Sequence, residues 1–305
     1  MNYFKKSLIA TSVLMLSLIS AQEQTVTTSD GVNLYTKKAG KGPAIIYVHG
    51  GPGAWSRSFE DLKGNELEKF MTVIYYDQRG SGRSESAQNQ DYSIARMAKD
   101  IEEIKNHYGV DKTYLIAHSF GGIIATNYAY HYPNSLKGLI LMNSTLNVEY
   151  SLRKQVEFIN EYTGKNHQVR STHLLEDFMS AKKEISEKGL DYILLTETKE
   201  TFNKLMEVHS HKAQQWEFAS RVFSMPEYFV DYTKITTNIK SPVLVINGTK
   251  DVAIGRDHPK DFKFPNMKTA NINSSHLLYH EKNIKLMREI KHFIHKLTLI
   301  GKSQI

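Results

Sequence analysis

The amino-acid sequence predicts an α/β protein with a mostly parallel, doubly wound sheet and one helical insertion. Short apolar runs rich in β-branched residues alternate with longer segments whose apolar residues recur at helical spacing. The runs at 43–48 and 72–76 are continuously apolar, as in strands that helices cover on both faces. One long charged segment, at 147–235, interrupts the alternation. Strands and helices that alternate in this way favour a parallel sheet between two helical layers.

The individual elements follow in chain order. A hairpin is predicted where runs at 25–28 and 32–36 flank the turn triplet Ser-Asp-Gly. Amphipathic helices are predicted from about 93 to 108 and from about 283 to 297. Strands are predicted at 43–48, 72–76, 113–117, 136–142, 242–246 and 267–272.

The segment 147–235 is predicted to be a helical cap. It is charged, contains few glycines and prolines, and shows helical patches at 174–185 and 202–218. We therefore expect one α/β domain formed by 22–146 and 236–305, with the cap inserted between its two parts.

Residues 1–21 show the order of regions that is typical of a secretory signal peptide. Lys5 and Lys6 precede a largely apolar stretch at 7–20, and Ala21 is a small residue before a polar one. The apolar stretch is short for a membrane span. We expect export to the periplasm or the medium, with no stable membrane insertion after cleavage; a retained N-terminal anchor is the alternative.

Composition excludes several classes of function. The chain has 305 residues, a net charge of +7 and no cysteine. The absence of cysteine excludes disulfides, thiolate metal sites and a cysteine nucleophile. Basic and acidic residues are interleaved, as at 99–105, and form no basic block. This pattern is typical of solvated helix faces, so no nucleic-acid partner is expected.

A serine lies at a predicted turn from strand to helix. Ser119 is the centre of Ala-His-Ser-Phe-Gly at 117–121, between an apolar strand run and a helical run. This context matches the nucleophile elbow G-x-S-x-G, in which a strained turn lifts the serine hydroxyl clear of the sheet. Ala117 replaces the first glycine but is still small. Ser119 is therefore the candidate nucleophile.

A serine nucleophile needs a base and an acid that orients the base. In hydrolases with this elbow, the acid and then the histidine follow the serine along the chain. Asp251 follows the strand predicted at 242–246, and His276 follows the strand predicted at 267–272. Because the carboxyl ends of parallel strands meet at one edge of the sheet, we predict a catalytic set of Ser119, Asp251 and His276.

Other residues compete for these roles. Asp257 and Asp261 lie further beyond the strand than Asp251 does. His276 and His280 have the i, i+4 spacing of two metal ligands, but the residues between them lack the glutamate of a zinc-peptidase helix. We therefore expect neither metal nor cofactor, and we expect His209 at the surface.

The developing oxyanion needs two backbone N–H donors, one from the residue after the nucleophile and one from the loop after an early strand. Phe120 supplies the first. Gly51 is our choice for the second, because a glycine lets the main chain approach a ligand closely. His49, which begins the same loop, is expected to fix the loop by hydrogen bonding.

Two motifs carry a family resemblance. The sequence His-Gly-Gly-Pro-Gly at 49–53 and the sequence Asp-Gln-Arg-Gly-Ser-Gly-Arg-Ser at 77–84 resemble those of the proline iminopeptidase (prolyl aminopeptidase) group of α/β-hydrolase serine peptidases, over about 26–297. The resemblance implies an α/β-hydrolase fold and hydrolysis that releases an N-terminal residue, often proline, from short peptides. It also implies acidic cap residues that bind the substrate amine, for which Glu217 beside Trp216 is the candidate.

Several points stay open from the sequence. Glu207 and Glu227 are alternative amine ligands. The elbow Ala-His-Ser-Phe-Gly is nearer to that of esterases than the family's Gly-Gly-Ser-Trp-Gly, so a carboxylic-ester hydrolase with the same three residues is the alternative function. A binding protein without catalysis is a third reading, which the intact Ser, Asp and His set disfavours. Asp77 and Arg79 are expected to form a structural ion pair that holds loops together.

Overall fold

The computed structural model describes residues 22–211 and 215–302, so the predicted signal peptide at 1–21 lies outside the described part. The strands are β1 (Gln22–Thr27), β2 (Asn33–Ala39), β3 (Ala44–Val48), β4 (Thr72–Tyr76), β5 (Thr113–Ser119), β6 (Leu136–Ser144), β7 (Val243–Gly248) and β8 (Met267–Ile272). They form one eight-stranded sheet in the order β1-β2-β4-β3-β5-β6-β7-β8. The predicted mostly parallel sheet is confirmed.

Helices connect and cover these strands. The α-helices are α1 (Arg57–Asp61), α2 (Ile94–His107), α3 (Gly121–His131), α4 (Val148–Thr163), α5 (Leu174–Glu187), α6 (Lys199–Ser210), α7 (Glu217–Arg221), α8 (Leu278–Glu281) and α9 (Asn283–Lys302). Short 3-10 helices lie at Gly64–Lys69, Pro133–Ser135, Asp191–Leu194, Val222–Ser224, Pro226–Phe229, Tyr232–Asn238 and His258–Asp261. No helix within 22–211 or 215–302 is both long and apolar enough to cross a membrane.

The predicted hairpin is confirmed as β1 and β2, which pair antiparallel, and β2 pairs antiparallel with β4. All other neighbouring strands are parallel. Their carboxyl ends therefore lie at one edge of the sheet, where the loops after β3, β5, β7 and β8 meet.

The core consists of one apolar layer on each face of the sheet. Side chains alternate along β3, so Ile46 and Val48 pack in the layer that contains α2 and α3, while Ile45 and Tyr47 pack in the layer that contains α9. All four side chains are almost fully buried. This two-sided burial is the reason that β3 is apolar throughout.

The helix predicted at about 93–108 is confirmed as α2. The Ser93 hydroxyl accepts a hydrogen bond from the Arg96 N–H (3.2 Å), which satisfies one of the free donors of the first turn. Gly109, with φ +63°, follows the helix and lets the chain leave it in the left-handed region.

Between β6 and β7, the described residues form helices and loops without a strand, and this segment is called the cap below. The helix predicted at 202–218 is wrong in its extent, because α6 ends at Ser210 and α7 begins at Glu217. The reason is tertiary packing. Phe218 is fully buried against the ring of Tyr92, and its N–H donates to the Gly80 carbonyl (3.2 Å). This aromatic ring at the start of α7 is therefore docked on the α/β domain.

The predicted pair between Asp77 and Arg79 is wrong in its partners. Arg83 Nε lies 2.8 Å from Asp77 Oδ2, whereas Arg79 binds Asp100 (2.7 Å) and Asp30 (2.8 Å). The turn after β4 brings Arg83 back over Asp77. The residues between them include Gly82, where a Cβ atom would lie 2.5 Å from the Asp77 carboxylate. Arg83 therefore ties its loop to the end of β4, and Arg79 ties the turn between β1 and β2 to α2, so both have a structural role.

Candidate active site

Ser119 lies at a strained turn between β5 and α3. Its φ is +54°, a left-handed conformation that is rare for residues other than glycine and that is typical of functional positions. The following helix begins at Gly121, where a Cβ atom would lie 2.5 Å from the Val48 carbonyl oxygen. The predicted order of strand, sharp turn and helix is thus present, and only a glycine at 121 lets the helix approach β3 this closely.

Asp251 and His276 meet at the same edge of the sheet. Asp251 is the third residue after β7, and His276 is the fourth after β8. His276 Nδ1 lies 2.8 Å from Asp251 Oδ2. Because an ionised carboxylate only accepts hydrogen bonds, Nδ1 carries the proton and Nε2 of the neutral ring is left as a base. The other carboxylate oxygen accepts from the Ala253 N–H (2.9 Å), which fixes the carboxylate.

Ser119 and His276 both line a cavity of about 190 Å³ between the sheet edge and the cap. The wall is mostly apolar, with Leu195 and Leu205 contributed by the cap segment. The other lining residues are Tyr47, Gly50, Gly51, Ala54, Trp55, Ser58, His118, His209, Leu277 and Tyr279. None of these described lining residues is an aspartate or a glutamate. The cavity therefore suits a neutral, mainly apolar group beside the serine hydroxyl.

Of the two predicted oxyanion donors, Phe120 directly follows Ser119 and Gly51 lines the same cavity. Phe120 lies at the N-terminal end of α3, where backbone N–H groups lack partners within the helix. Gly51 lines the cavity and has φ +131°, a conformation that favours glycine. The loop lies directly against the nucleophile, because a Cβ atom on Gly50 would be 2.8 Å from Ser119 Cβ.

His49 holds this loop, as expected from the sequence. Its Nε2 accepts from the Gln78 backbone N–H (2.9 Å), and its Nδ1 lies 2.8 Å from the Gly50 carbonyl oxygen, to which it donates. The Gln78 side-chain amide donates back to the His49 carbonyl (2.7 Å). These bonds join the two motifs that carry the family resemblance, and both ring nitrogens of His49 are occupied.

The structure does not bring Glu217 or Trp216 into the cavity. Glu217 pairs with Arg221 one turn along α7 (Nε to Oε1, 2.8 Å), and Trp216 is half exposed next to Gly53. Burial raises the pKa of Glu217, but the Arg221 guanidinium helps to hold it below its usual value. Of the two alternatives, Glu227 accepts from the Ile94 N–H (3.2 Å), which ties the cap to α2, and Glu207 is exposed on α6.

Two polar residues that sequence reasoning missed line the cavity. Ser58 Oγ lies 2.8 Å from His209 Nε2, so the pair joins α1 to the cap helix α6. The expectation that His209 is a surface residue is wrong, because α6 folds back over α1 and partly buries it. Ser58 follows the motif at 49–53 by five residues, which hinted at its position. No sequence signal marked His209.

A second histidine lies beside His276. The ring of His118 is 4.6 Å from that of His276, and His118 Nε2 donates to the His276 carbonyl oxygen (3.1 Å). Burial, followed by the proximity of His276, lowers the pKa of His118 well below its usual value, so the ring is neutral. Within 22–211 and 215–302, no three His, Asp or Glu side chains form a group that could hold a metal.

The fold and this site define the class of protein. Residues 43–283 match the family described as the alpha/beta hydrolase fold, and the chain belongs to that family. Within it, the chain resembles the proline iminopeptidase group. It is 26% identical over 287 residues to the proline iminopeptidase of Saccharolobus solfataricus, covering 87% of this chain and 89% of that protein.

Solved structures agree on the fold. A proline iminopeptidase-related protein from Thermus thermophilus superposes with a TM-score of 0.74 at 21% identity, over 91% of this chain and 98% of that one. An esterase from Exiguobacterium antarcticum superposes with a TM-score of 0.67 at 19% identity, over 90% of this chain and 100% of that one.

Proposed function

We propose that this protein is a serine hydrolase of the proline iminopeptidase type, which releases an N-terminal residue, often proline, from short peptides. The observation that carries the proposal is the 2.8 Å hydrogen bond between His276 and Asp251, in a cavity that His276 shares with Ser119. The resemblance to a proline iminopeptidase over most of both chains supports the peptide substrate.

In the proposed reaction, His276 Nε2 takes the proton of Ser119 as the hydroxyl oxygen attacks the carbonyl carbon. Asp251 holds the imidazole in this orientation and stabilises its charged form. The N–H groups of Gly51 and Phe120 bind the oxyanion, and the loss of one such donor costs about 3–4 kcal/mol of transition-state stabilisation. His276 then protonates the leaving amine, and water hydrolyses the acyl-enzyme by the reverse transfers.

A second candidate is a carboxylic-ester hydrolase that uses the same residues. The absence of an aspartate or glutamate among the described lining residues favours it, because a charged substrate ammonium buried without a counter-ion is costly. An ester with a small apolar acyl group needs no such partner. Glu217, the amine ligand that the resemblance implies, forms an ion pair with Arg221 instead.

Paired kinetics separate the two candidates. The substrates are prolyl and alanyl arylamides, the N-acetylated prolyl arylamide, and p-nitrophenyl acetate and butyrate. An aminopeptidase turns over the free-amine arylamides and loses activity when the amine is acetylated. Ester turnover without turnover of the free-amine arylamides would retire the peptidase proposal in favour of the second candidate. Ser119→Ala is the control, and failure of the wild type to react with a fluorophosphonate would overturn both.

We also propose that the protein is exported, on the strength of the signal-like order of residues 1–21. N-terminal sequencing of protein isolated from the medium or periplasm tests this, and the expected first residue is Gln22. Recovery of the full chain in the cytoplasmic fraction, beginning at Met1, would contradict export.

A further inference from the structure

Asn143 lies at an irregular point of the sheet, next to the nucleophile strand. In the pairing of β5 with β6, His118 is opposite Met142 and Ser119 is opposite Ser144, so Asn143 is an extra residue in β6. Such a bulge redirects a side chain out of the regular alternation. Asn143 has φ +43°, a left-handed conformation that asparagine tolerates better than most residues.

The Asn143 side chain is almost fully buried, and both its amide nitrogen and its amide oxygen form hydrogen bonds. Its Nδ2 donates to two successive carbonyl oxygens, those of Ser275 and His276, at 2.9 Å each. Its Oδ1 accepts from the Gly248 N–H at 2.6 Å. Both amide hydrogens and the carbonyl thus have partners, and every partner belongs to the backbone of another loop or strand end.

These partners belong to the two loops that carry the acid and the base. Gly248 is the last residue of β7, and its carbonyl accepts from the Asp251 N–H (2.9 Å), so it begins the turn that holds the acid. The other two partners are the base itself and the residue before it. One side chain on β6 therefore bonds both loops and lies next to Ser144, the residue paired with Ser119.

We propose that Asn143 is a positioning residue, which fixes the loops of Asp251 and His276 relative to Ser119. The inference rests on the proposed serine hydrolase function. Asn143 itself does not line the cavity with Ser119 and acts through the backbone of its partners. Because a displacement of about 1 Å costs about 100-fold in rate when reacting groups must be aligned, loss of these bonds lowers turnover more than it lowers substrate binding.

Two substitutions separate the effect of the Asn143 side-chain amide from the effect of the backbone conformation at that position. Asn143→Asp keeps the size and the acceptor for Gly248 but places a carboxylate oxygen against two carbonyl oxygens. Asn143→Gly keeps the left-handed backbone and removes the amide. Asn160→Asp is the matched control, because the Asn160 amide also bonds one loop backbone, donating to the His167 carbonyl (2.9 Å) and accepting from its N–H (2.7 Å), in the cap.

The expected result is a fall of about 100-fold in kcat for both Asn143 variants, with KM changed less than about threefold. The rate of reaction with a fluorophosphonate falls in parallel, and the low-field NMR signal of the His276 Nδ1 proton shifts or disappears. Asn160→Asp lowers the melting temperature but leaves the rates and the NMR signal unchanged.

The outcomes distinguish failure of the proposed hydrolase function from failure of the positioning role of Asn143. A wild type that does not react with the fluorophosphonate overturns the proposed function, and this inference with it. A reactive wild type with folded Asn143 variants that keep kcat, labelling rate and the NMR signal overturns the positioning role alone. If one variant does not fold, as judged by circular dichroism, the other decides the question by the same readouts.

Discussion

His118 Nε2 donates a hydrogen bond to the carbonyl oxygen of His276, and the two rings lie 4.6 Å apart. The candidate base therefore has a second imidazole beside it. Because burial and the neighbouring histidine lower the pKa of His118, that ring carries no charge while His276 works. A charged ring at this distance would oppose the formation of the His276 imidazolium.

This relationship predicts a simple acidic limb in the pH profile. We expect the acidic limb of log kcat/KM to have a slope no steeper than one, because burial lowers the pKa of His118 and this ring adds no second proton. The measurement is a steady-state profile on one ester or arylamide from about pH 4 to 9, a range that brackets the ordinary histidine pKa. A slope of two would mean that His118 gains a proton in this range, and would contradict a neutral His118.

The substitution Asp251→Asn tests whether Asp251 is the acid that orients His276. An asparagine that donates to His276 Nδ1 forces the proton of the neutral ring onto Nε2, which then cannot accept from Ser119. We expect kcat to fall about 10⁴-fold with little change in fold or KM. Asp257→Asn is the matched control, because Asp257 is exposed, pairs with Lys260 and should leave kcat unchanged. Equal kinetics of the two variants would argue against Asp251 as the orienting acid.

A buried histidine outside the site predicts how stability depends on pH. His258 Nε2 accepts from the Leu146 N–H (2.9 Å), and burial, which the acid Asp231 only partly offsets, lowers the pKa of His258 from 6.5 to about 4. The unfolded chain therefore binds this proton at a higher pH than the folded chain does. Stability from the neutral ring is fully present above pH 6.5 and is lost as the pH falls toward 4.

We expect this group to contribute about 3 kcal/mol to the fall in the free energy of unfolding between pH 6.5 and about 4. Chemical denaturation of the wild type and of His258→Gln at several pH values measures it. The variant cannot titrate here, so its stability should fall less over the same range. Parallel curves for the two proteins would show that His258 does not contribute.

The sequence was most informative for residues that directly follow a predicted strand, because the end of the strand fixes their position. The strand predicted at 267–272 coincides with β8. Asp251 and His276 were found by the rule that ligands gather at the carboxyl ends of parallel strands.

The sequence was least informative where long-range packing decides. His209 reaches the cavity only because α6 folds back over α1, and Phe218 at the start of α7 docks on the distant Tyr92. Asn143 directly follows a predicted apolar strand, and nothing in the local pattern indicates a bulge or a left-handed φ there. These features depend on partners that are distant along the chain.

The contact between Ser58 and His209 predicts a role in substrate binding. Since one neutral hydrogen bond contributes about 1 kcal/mol net, Ser58→Ala should raise KM about fivefold and leave kcat nearly unchanged. The variant loosens α1 from the cap without touching Ser119 or His276. Ser220→Ala, which removes an exposed cap hydroxyl bonded to the Glu217 carbonyl, is the control. A fall in kcat without a change in KM would contradict a role confined to binding.

The close approach of the oxyanion loop to the nucleophile gives a steric prediction. A methyl group on Gly50 would lie 2.8 Å from Ser119 Cβ, which is too close, and 3.1 Å from the His118 carbonyl oxygen, which is a tight contact. Gly50→Ala must therefore move the loop, and Gly51 with it, or move the serine. Because one lost oxyanion donor costs about 3–4 kcal/mol, we expect kcat/KM to fall at least about 100-fold on amides and esters alike.

Gly138→Ala separates this effect from a general loss of packing. A Cβ atom there would lie 3.2 Å from the ring of Tyr114, at the opposite end of the sheet from Ser119. This variant should lower the melting temperature but keep kcat/KM within about twofold, since the active-site geometry is not disturbed. The contrary result would be a Gly50→Ala protein with wild-type kcat/KM and a wild-type rate of reaction with a fluorophosphonate. It would show that activity does not depend on the close approach of the loop to Ser119. Gly51 would then lose its assignment as an oxyanion donor.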